Sequence, residues 1–243
     1  MKALILAAGR GSRMDALTSH THKCLIHLLG RPLIEWQLDA LRRAGIEETI
    51  AVTGYKHQKV APYFSSHFHN ADWASTNMAY TLLQADPILA KEEVIVCYSD
   101  LAYHPSIIKA LLEGKELISL TFDRKWKKLW QTRFDNPLDD AESFRVQGKK
   151  LVEIGKNPCK AEEIKGQYMG LFKIHPQGWQ IMKSLITPTI SMTELFHNLI
   201  YIDVFIEAIP IEGKWCEIDT AKDKDLYEKK LTGLKKWSHD FRD

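Results

Sequence analysis

A chain of 243 residues can bury one sizeable α/β core; two small domains would also fit, and one domain is the simpler expectation. A composition 45% apolar and 26% charged excludes disordered and fibrous classes, and a net charge of +2 from 33 basic and 31 acidic residues gives no long-range field for duplex nucleic acid or an anionic membrane. No apolar stretch reaches the ~18 residues of a membrane span, and the opening "MKALILAAG" is too short for a signal peptide. Cys24, Cys97, Cys159 and Cys216 lie far apart without a CxxC pair, which disfavours zinc or a disulfide framework. A cytoplasmic protein with buried, structural Cys24 and Cys97 thiols is expected.

The first apolar run, residues 3–8, suits a strand covered on both faces and breaks off into Gly9-Arg10-Gly11-Ser12-Arg13. Gly9 and Gly11 can take backbone angles closed to other residues, so successive N–H groups can face one anion-binding hollow, with the charge of Arg13 beside it. The spacing is neither a P-loop nor G-x-G-x-x-G, whose third glycine is Met14 here, and a bland tight turn reads equally from the loop alone. Next comes a helix with Pro32 in its first turn, Leu33, Ile34, Trp36, Leu38 and Leu41 on its apolar face and Gly45 at its end. A strand over 48–55, a helix over 75–85 capped by Ser75 or Thr76, a strand over 94–100 and a helix over 105–114 follow. This alternation predicts a mostly parallel sheet with helices on both faces.

Beyond residue 120 the pattern loosens. Residues 122–144 are charged, aromatic and turn-rich, a candidate lid or substrate wall with a loop at Asn136-Pro137. A hairpin over 144–155 with Gly148 in its turn, a strand over 166–174, helices over 176–186 and 192–201, and a strand over 203–211 come next. A short strand then leads to a last helix starting at Asp219 or Thr220, and the basic tail 235–243 reads as a solvated terminus.

Two carboxylates stand out. Asp100 ends a parallel strand, on the edge where open α/β sheets bind ligands, and suits Mg²⁺; it could instead cap the helix near Pro105. Asp219 is the second candidate ligand, or else a cap, and two acids from distant segments could clamp a metal between attacking and leaving oxygens. Asp123, Trp126, Trp130 and Arg133 fall within eleven residues, and Gln167 and Tyr168 come from a later strand. Aromatic faces with a carboxylate suit an ammonium group, and Arg133 suits a phosphate. Trp126 and Trp130, four apart, would equally form one buried helix face.

The stretch "LAAGRGSR", with Lys23 ten residues after Arg13 and "GRPLIEWQLDALRRAGI" beyond it, resembles the signature of nucleotidyltransferases that activate sugar phosphates and other small phosphorylated compounds. His22-Lys23 stands where the usual form has Pro-Lys, and the cation is kept. The resemblance implies that the backbone of Leu6, Ala7, Ala8, Gly9, Gly11 and Ser12 wraps the triphosphate and base while Arg13 and Lys23 neutralise phosphates. The segments "SDLAYHPSIIKALL", "LVEIGKNP", "GQYMGLFKI" and "EIDTAKDKDLY" are similar to the CTP:phosphocholine cytidylyltransferase branch, and to its members acting on 2-aminoethylphosphonate or phosphoglutamine. That likeness implies base contacts near Asn70, Thr76 and Asn77, and Lys156 directed at the acceptor phosphate. The expected fold is a Rossmann-like, mostly parallel mixed sheet flanked by helices, with a nucleotide half (1–120) and an acceptor half (121–243) bearing a small lid. The expected reaction is Mg²⁺-dependent transfer of CMP from CTP to a small phosphorylated or phosphonate acceptor, releasing pyrophosphate. A sugar-1-phosphate nucleotidyltransferase using UTP or CTP and a non-catalytic nucleotide sensor are the alternatives, and a homodimer is left open.

Overall fold

The computed structural model describes every residue except Asp15, Cys159 and Asp243, so the expectation for Cys159 lies outside the described residues. In chain order the strands are β1 (Lys2–Ala7), β2 (His27–Leu28), β3 (Arg31–Pro32), β4 (Glu48–Thr53), β5 (Ser66–His69), β6 (Val94–Tyr98) and β7 (Leu101–Tyr103). They continue with β8 (Ile118–Asp123), β9 (Phe144–Gln147), β10 (Lys150–Ile154), β11 (Gln167–Ile174), β12 (Ile206–Ile211) and β13 (Trp215–Glu217). The α-helices are α1 (Ala16–Ser19), α2 (Leu33–Arg43), α3 (His57–Val60), α4 (Met78–Leu83), α5 (Asp86–Leu89), α6 (Pro105–Leu112), α7 (Trp126–Arg133), α8 (Pro176–Lys183), α9 (Met192–Tyr201) and α10 (Ala221–Thr232).

Nine strands form one sheet in the order β5-β4-β1-β6-β11-β8-β12-β10-β9. β1 lies parallel between β4 and β6, and its residues 3–7 are all buried, which is why the sequence there is continuously apolar rather than alternating. β11 is inserted antiparallel between β6 and β8, β8 pairs parallel with β12, and the β9–β10 hairpin closes that edge. Only β10 and β11 run against the other seven strands, so the sheet is mixed and mostly parallel, as expected. β1 and β6 end on the same edge, at the glycine loop and Asp100, and a second two-stranded sheet is formed by β7 and β13.

Local signals set most boundaries. Gly45 takes φ +93° after α2 and Gly148 takes φ +60° in the hairpin turn, both in the left-handed region. The helix expected from 75 starts instead at Met78, capped by Asn77. Ser75 and Thr76 belong instead to the preceding turn, where both hydroxyls donate to the carbonyl of Asp72. β12 starts three residues later than expected, because Asp203 sits at φ 61° and the N–H of Val204 donates to the carbonyl of Leu199 at the end of α9.

Two expectations need correction. The tryptophan-rich segment is a packed wall, not a free lid: Trp126, Leu129 and Trp130 are buried on one face of α7, with the two indoles edge to face at 6.0 Å. The C-terminal tail is not simply solvated. His239 and Phe241 are buried, Phe241 packs edge-on against Trp36 at 5.3 Å, and the carbonyl of Ser238 accepts from the N–H of Lys214. Cys24, Cys97 and Cys216 are free and buried. No helix among the described residues is long and apolar enough to cross a membrane.

Candidate active site

β1 ends at the glycine loop. Gly11 takes φ +66°, and a Cβ there would come 3.0 Å from Cδ of Lys23, so its hydrogen lets the lysine stem lie along the loop. Gly9 needs no left-handed angle; its neighbourhood is open to 4 Å, which leaves room for a ligand against the backbone. The N–H of Met14 donates to the carbonyl of Gly11, and the N–H of Tyr55 to that of Ala8, fixing both ends of the turn.

His22 aims the lysine. Its Nδ1 accepts from the N–H of Cys24 and caps a single 3-10 turn, Lys23–Leu25. Burial lowers the imidazole pKa to about 4, with the backbone of Gly9 opposing and Lys23 adding to the shift, so the ring is neutral near pH 7. Lys23 is itself buried, and its Nζ lies 2.6 Å from Oδ2 of Asp100 and 2.5 Å from Oδ1 of Asp219. Burial works against its charge, but the two carboxylates prevail and hold the ammonium pKa above its ordinary value. Arg13, largely exposed, reaches the same Asp219 oxygen at 3.1 Å.

The two acids, 119 residues apart in sequence, meet through the small sheet. Leu101 pairs with Glu217, and the N–H of Ile218 donates to the carbonyl of Asp100, setting Asp100 and Asp219 side by side. Neither acts as the cap that its sequence position allowed. His104 caps α6, and Thr220 with Asp223 forms the capping box of α10. Burial raises the pKa of Asp219, but Lys23 and Arg13 outweigh it and keep the carboxyl below its usual range. Asp100 Oδ1 is buried without a hydrogen-bond partner. Among the described residues no cluster of three or more His, Cys, Asp or Glu side chains could hold a metal ion. Mg²⁺ needs only one or two carboxylates when phosphates complete its shell, so the convergent pair with its unpartnered oxygen fits such an ion.

Two cavities flank this charge cluster. One, of about 160 Å³, is lined by Leu6, Ala8 and Gly9 on one side and Trp73, Thr76 and Asn77 on the other. The second, of about 350 Å³, takes Arg13, Asn77, Trp130, Gln167, Tyr168 and Asp219 from the expected set, together with Tyr98, Asp140, Glu142 and Glu217. Burial pushes Asp140 and Glu142 above their ordinary pKa values, and Glu217 up to about 7 against the opposing pull of Arg133.

Residues 3–130 match the MobA-like NTP transferase domain family. The chain belongs to this family. It is similar to CTP:phosphoglutamine cytidylyltransferase of Campylobacter jejuni, with 31% identity over an alignment covering 93% of this chain and 98% of that protein. It is also similar to 2-aminoethylphosphonate cytidylyltransferase of Lancefieldella rimae, 32% identical over 63% of this chain and 60% of that one. The inositol-1-phosphate CTP transferase of T. maritima has the same fold, with a TM-score of 0.76, 20% identity, and coverage of 96% of this chain and 97% of that one. The protein is therefore a nucleotidyltransferase.

In this NTP transferase several expected ligand contacts turn out to serve the fold. Asp123 is buried beneath the wall: Oδ1 accepts from the N–H groups of Lys125 and Gly213, and Oδ2 meets Nε1 of Trp215 and Nε2 of His239. No lone pair is left for an ammonium ligand. The Arg133 side chain is also buried, held by Glu217, by Asp223 at 3.0 Å and by Asp219 at 3.4 Å, so its guanidinium is spent on bracing these three acids. Asn70 is a buried loop hub: Nδ2 donates to Thr76 and Thr81, and Oδ1 accepts from the N–H of Asp72. Asn77 borders both cavities, but its side chain is engaged by the N–H of Met78 and the carbonyl of Thr189. Gln167 lines the larger of the two flanking cavities while exchanging hydrogen bonds with the backbone of Glu142. Lys156 lies apart, in a third cavity of about 510 Å³ with Ser143 and Arg145. Trp73, Tyr98, Asp140, Glu142 and Glu217 were missed. The only sequence signal for Asp140 and Glu142 was the acid-rich run "NPLDDAESF", which lay inside the segment read as a substrate wall.

Proposed function

We propose that this nucleotidyltransferase is a Mg²⁺-dependent cytidylyltransferase that joins CMP from CTP to a small phosphate or phosphonate acceptor and releases pyrophosphate. One observation carries the reading: Lys23, Asp100 and Asp219 converge within 2.6 Å contacts at the mouth of the glycine loop, between a cavity walled by loop backbone and one lined by acids and aromatic rings. The named activities of the two cytidylyltransferase relatives support the choice of CTP and of a phosphorylated or phosphonate acceptor.

The chemistry asks little of side chains beyond charge and position. An acceptor phosphoryl oxygen forms a bond to the α-phosphorus of CTP as the bond to the bridging oxygen of the β-phosphate breaks in line, and that oxygen leaves with pyrophosphate. A phosphate monoester with its second pKa near ~6 is mostly dianionic at neutral pH, so no general base is required. The loop amides and Arg13 would bind the polyphosphate, and the Lys23 ammonium would offset charge growing on the transferring group. Mg²⁺ held by Asp100 and Asp219 would add Lewis-acid stabilisation at the phosphates.

The acceptor cavity favours a tail rich in N–H donors or positive charge. Asp140, Glu142 and Glu217 line it with Tyr98, Trp130 and Tyr168, and a cationic or amide-bearing tail would offset those half-buried acids. A hexose phosphate offers no such charge. The test is pyrophosphate release on mixing the enzyme with CTP, Mg²⁺ and, separately, 2-aminoethylphosphonate, phosphocholine or phosphoglutamine. Release with at least one of them is expected. Release only with a hexose 1-phosphate, or with UTP and not CTP, would overturn the proposal.

A further inference from the structure

We infer that Trp73 is the side chain that stacks on the nucleobase and sets the width of the base slot. The inference rests on the 160 Å³ cavity being the nucleoside site of the proposed function. The polar side chains near that cavity are already engaged. Asn70 holds Thr76, Thr81 and the N–H of Asp72, Thr76 donates to the carbonyl of Asp72, and Asn77 is a helix cap bonded to Thr189. The bonds of Asn70 and Thr76 hold the turn that builds the wall. What the wall presents instead is an indole, half-buried and opposite the backbone of Ala8 and Gly9.

The indole is held from behind. A Cβ on Gly54 would lie 2.7 Å from Cβ of Trp73 and 2.6 Å from the carbonyl oxygen of Ala8, so Trp73 is pressed onto the strand end that carries the loop. Tyr55 backs it edge-on, with ring centroids 5.2 Å apart, and is anchored by its hydroxyl to the carbonyls of Thr18 and Ser19. Trp73 and the glycine loop thus form two jaws of one slot, joined at Gly54-Tyr55. A flat ring between backbone and indole gains stacking that every base can supply.

The test compares Trp73→Ala, Trp73→Phe and Trp73→Leu with the parent protein, in turnover and in calorimetric binding of CTP and UTP. Expected are a rise of roughly tenfold or more in the KM and Kd for nucleotide with alanine, kcat and the acceptor KM within about twofold, and recovery towards the parent with phenylalanine. If that variant fails to fold, Trp73→Leu, which keeps apolar bulk without a flat face, replaces it. Unchanged nucleotide affinity, or a loss confined to kcat or to thermal stability, overturns the assignment. Should UTP prove to be the donor, the cytidylyl proposal fails while Trp73 is still judged by the KM for UTP.

Discussion

On the glycine-loop side of the cleft the Arg13 side chain is 65% exposed and Asp100 keeps a carboxylate oxygen without a partner, whereas across it the Arg133 side chain is 1% exposed and both oxygens of Asp123 are filled by the chain. Both regions have the composition of a binding site, and these four charged side chains differ in how far the chain has already used them. A charged group whose hydrogen bonds are completed by the protein contributes to the fold; one left incomplete has capacity for a ligand. Lys23 stands between the extremes, buried but paired to the two acids suited to a metal.

The sharpest challenge to this contrast is Arg133→Met. Removing one partner of a buried charge cluster strands Glu217, Asp219 and Asp223, and urea denaturation should show a loss of about 3–5 kcal/mol. An unchanged denaturation midpoint with a raised acceptor KM would return Arg133 to the substrate wall. Lys23→Ala comes next: pyrophosphate release should fall by about 100- to 1,000-fold, as when one preorganised charge-stabilising donor is removed. Near-normal turnover would remove Lys23 from the phosphate-binding role. The smallest effect concerns acid stability. His22 is neutral in the folded protein with a pKa of about 4, against about 6.5 when unfolded, so its contribution is complete above pH 6.5 and drains away as pH falls towards 4. At about 1.36 kcal/mol per unit this amounts to roughly 3 kcal/mol at the acid end. His22→Asn should flatten the dependence of unfolding free energy on pH across that window, and an unaltered slope would show that His22 does not titrate on unfolding.

Residues 1–120 were readable because their signals lie in backbone conformation and short spacings. A strand buried on both faces, a glycine at φ +66° and a lysine placed ten residues after an arginine are all local facts with local signatures. The acceptor half resisted because the same residue types serve a core and a ligand equally well. Trp126 and Trp130 at helical spacing gave both readings, and burial of both side chains on one face of α7 decided between them. Asp123 was misread because the tail that supplies His239, and the 213–215 segment that supplies an N–H and an indole donor, lie about 90–116 residues away.

By itself, the chain order of apolar runs, caps and glycines determined a mostly parallel α/β sheet, the glycine turn at the end of its first strand and the two carboxylates suited to a metal. Tertiary structure alone decided which charges remain available. The β7–β13 pairing sets Asp100 beside Asp219, the acidic pocket gathers Asp140, Glu142 and Glu217, and the enclosed interior consumes Arg133 and Asp123. The physical reason is that a polar group's function depends on whether its hydrogen bonds are already made, and long-range contacts settle that.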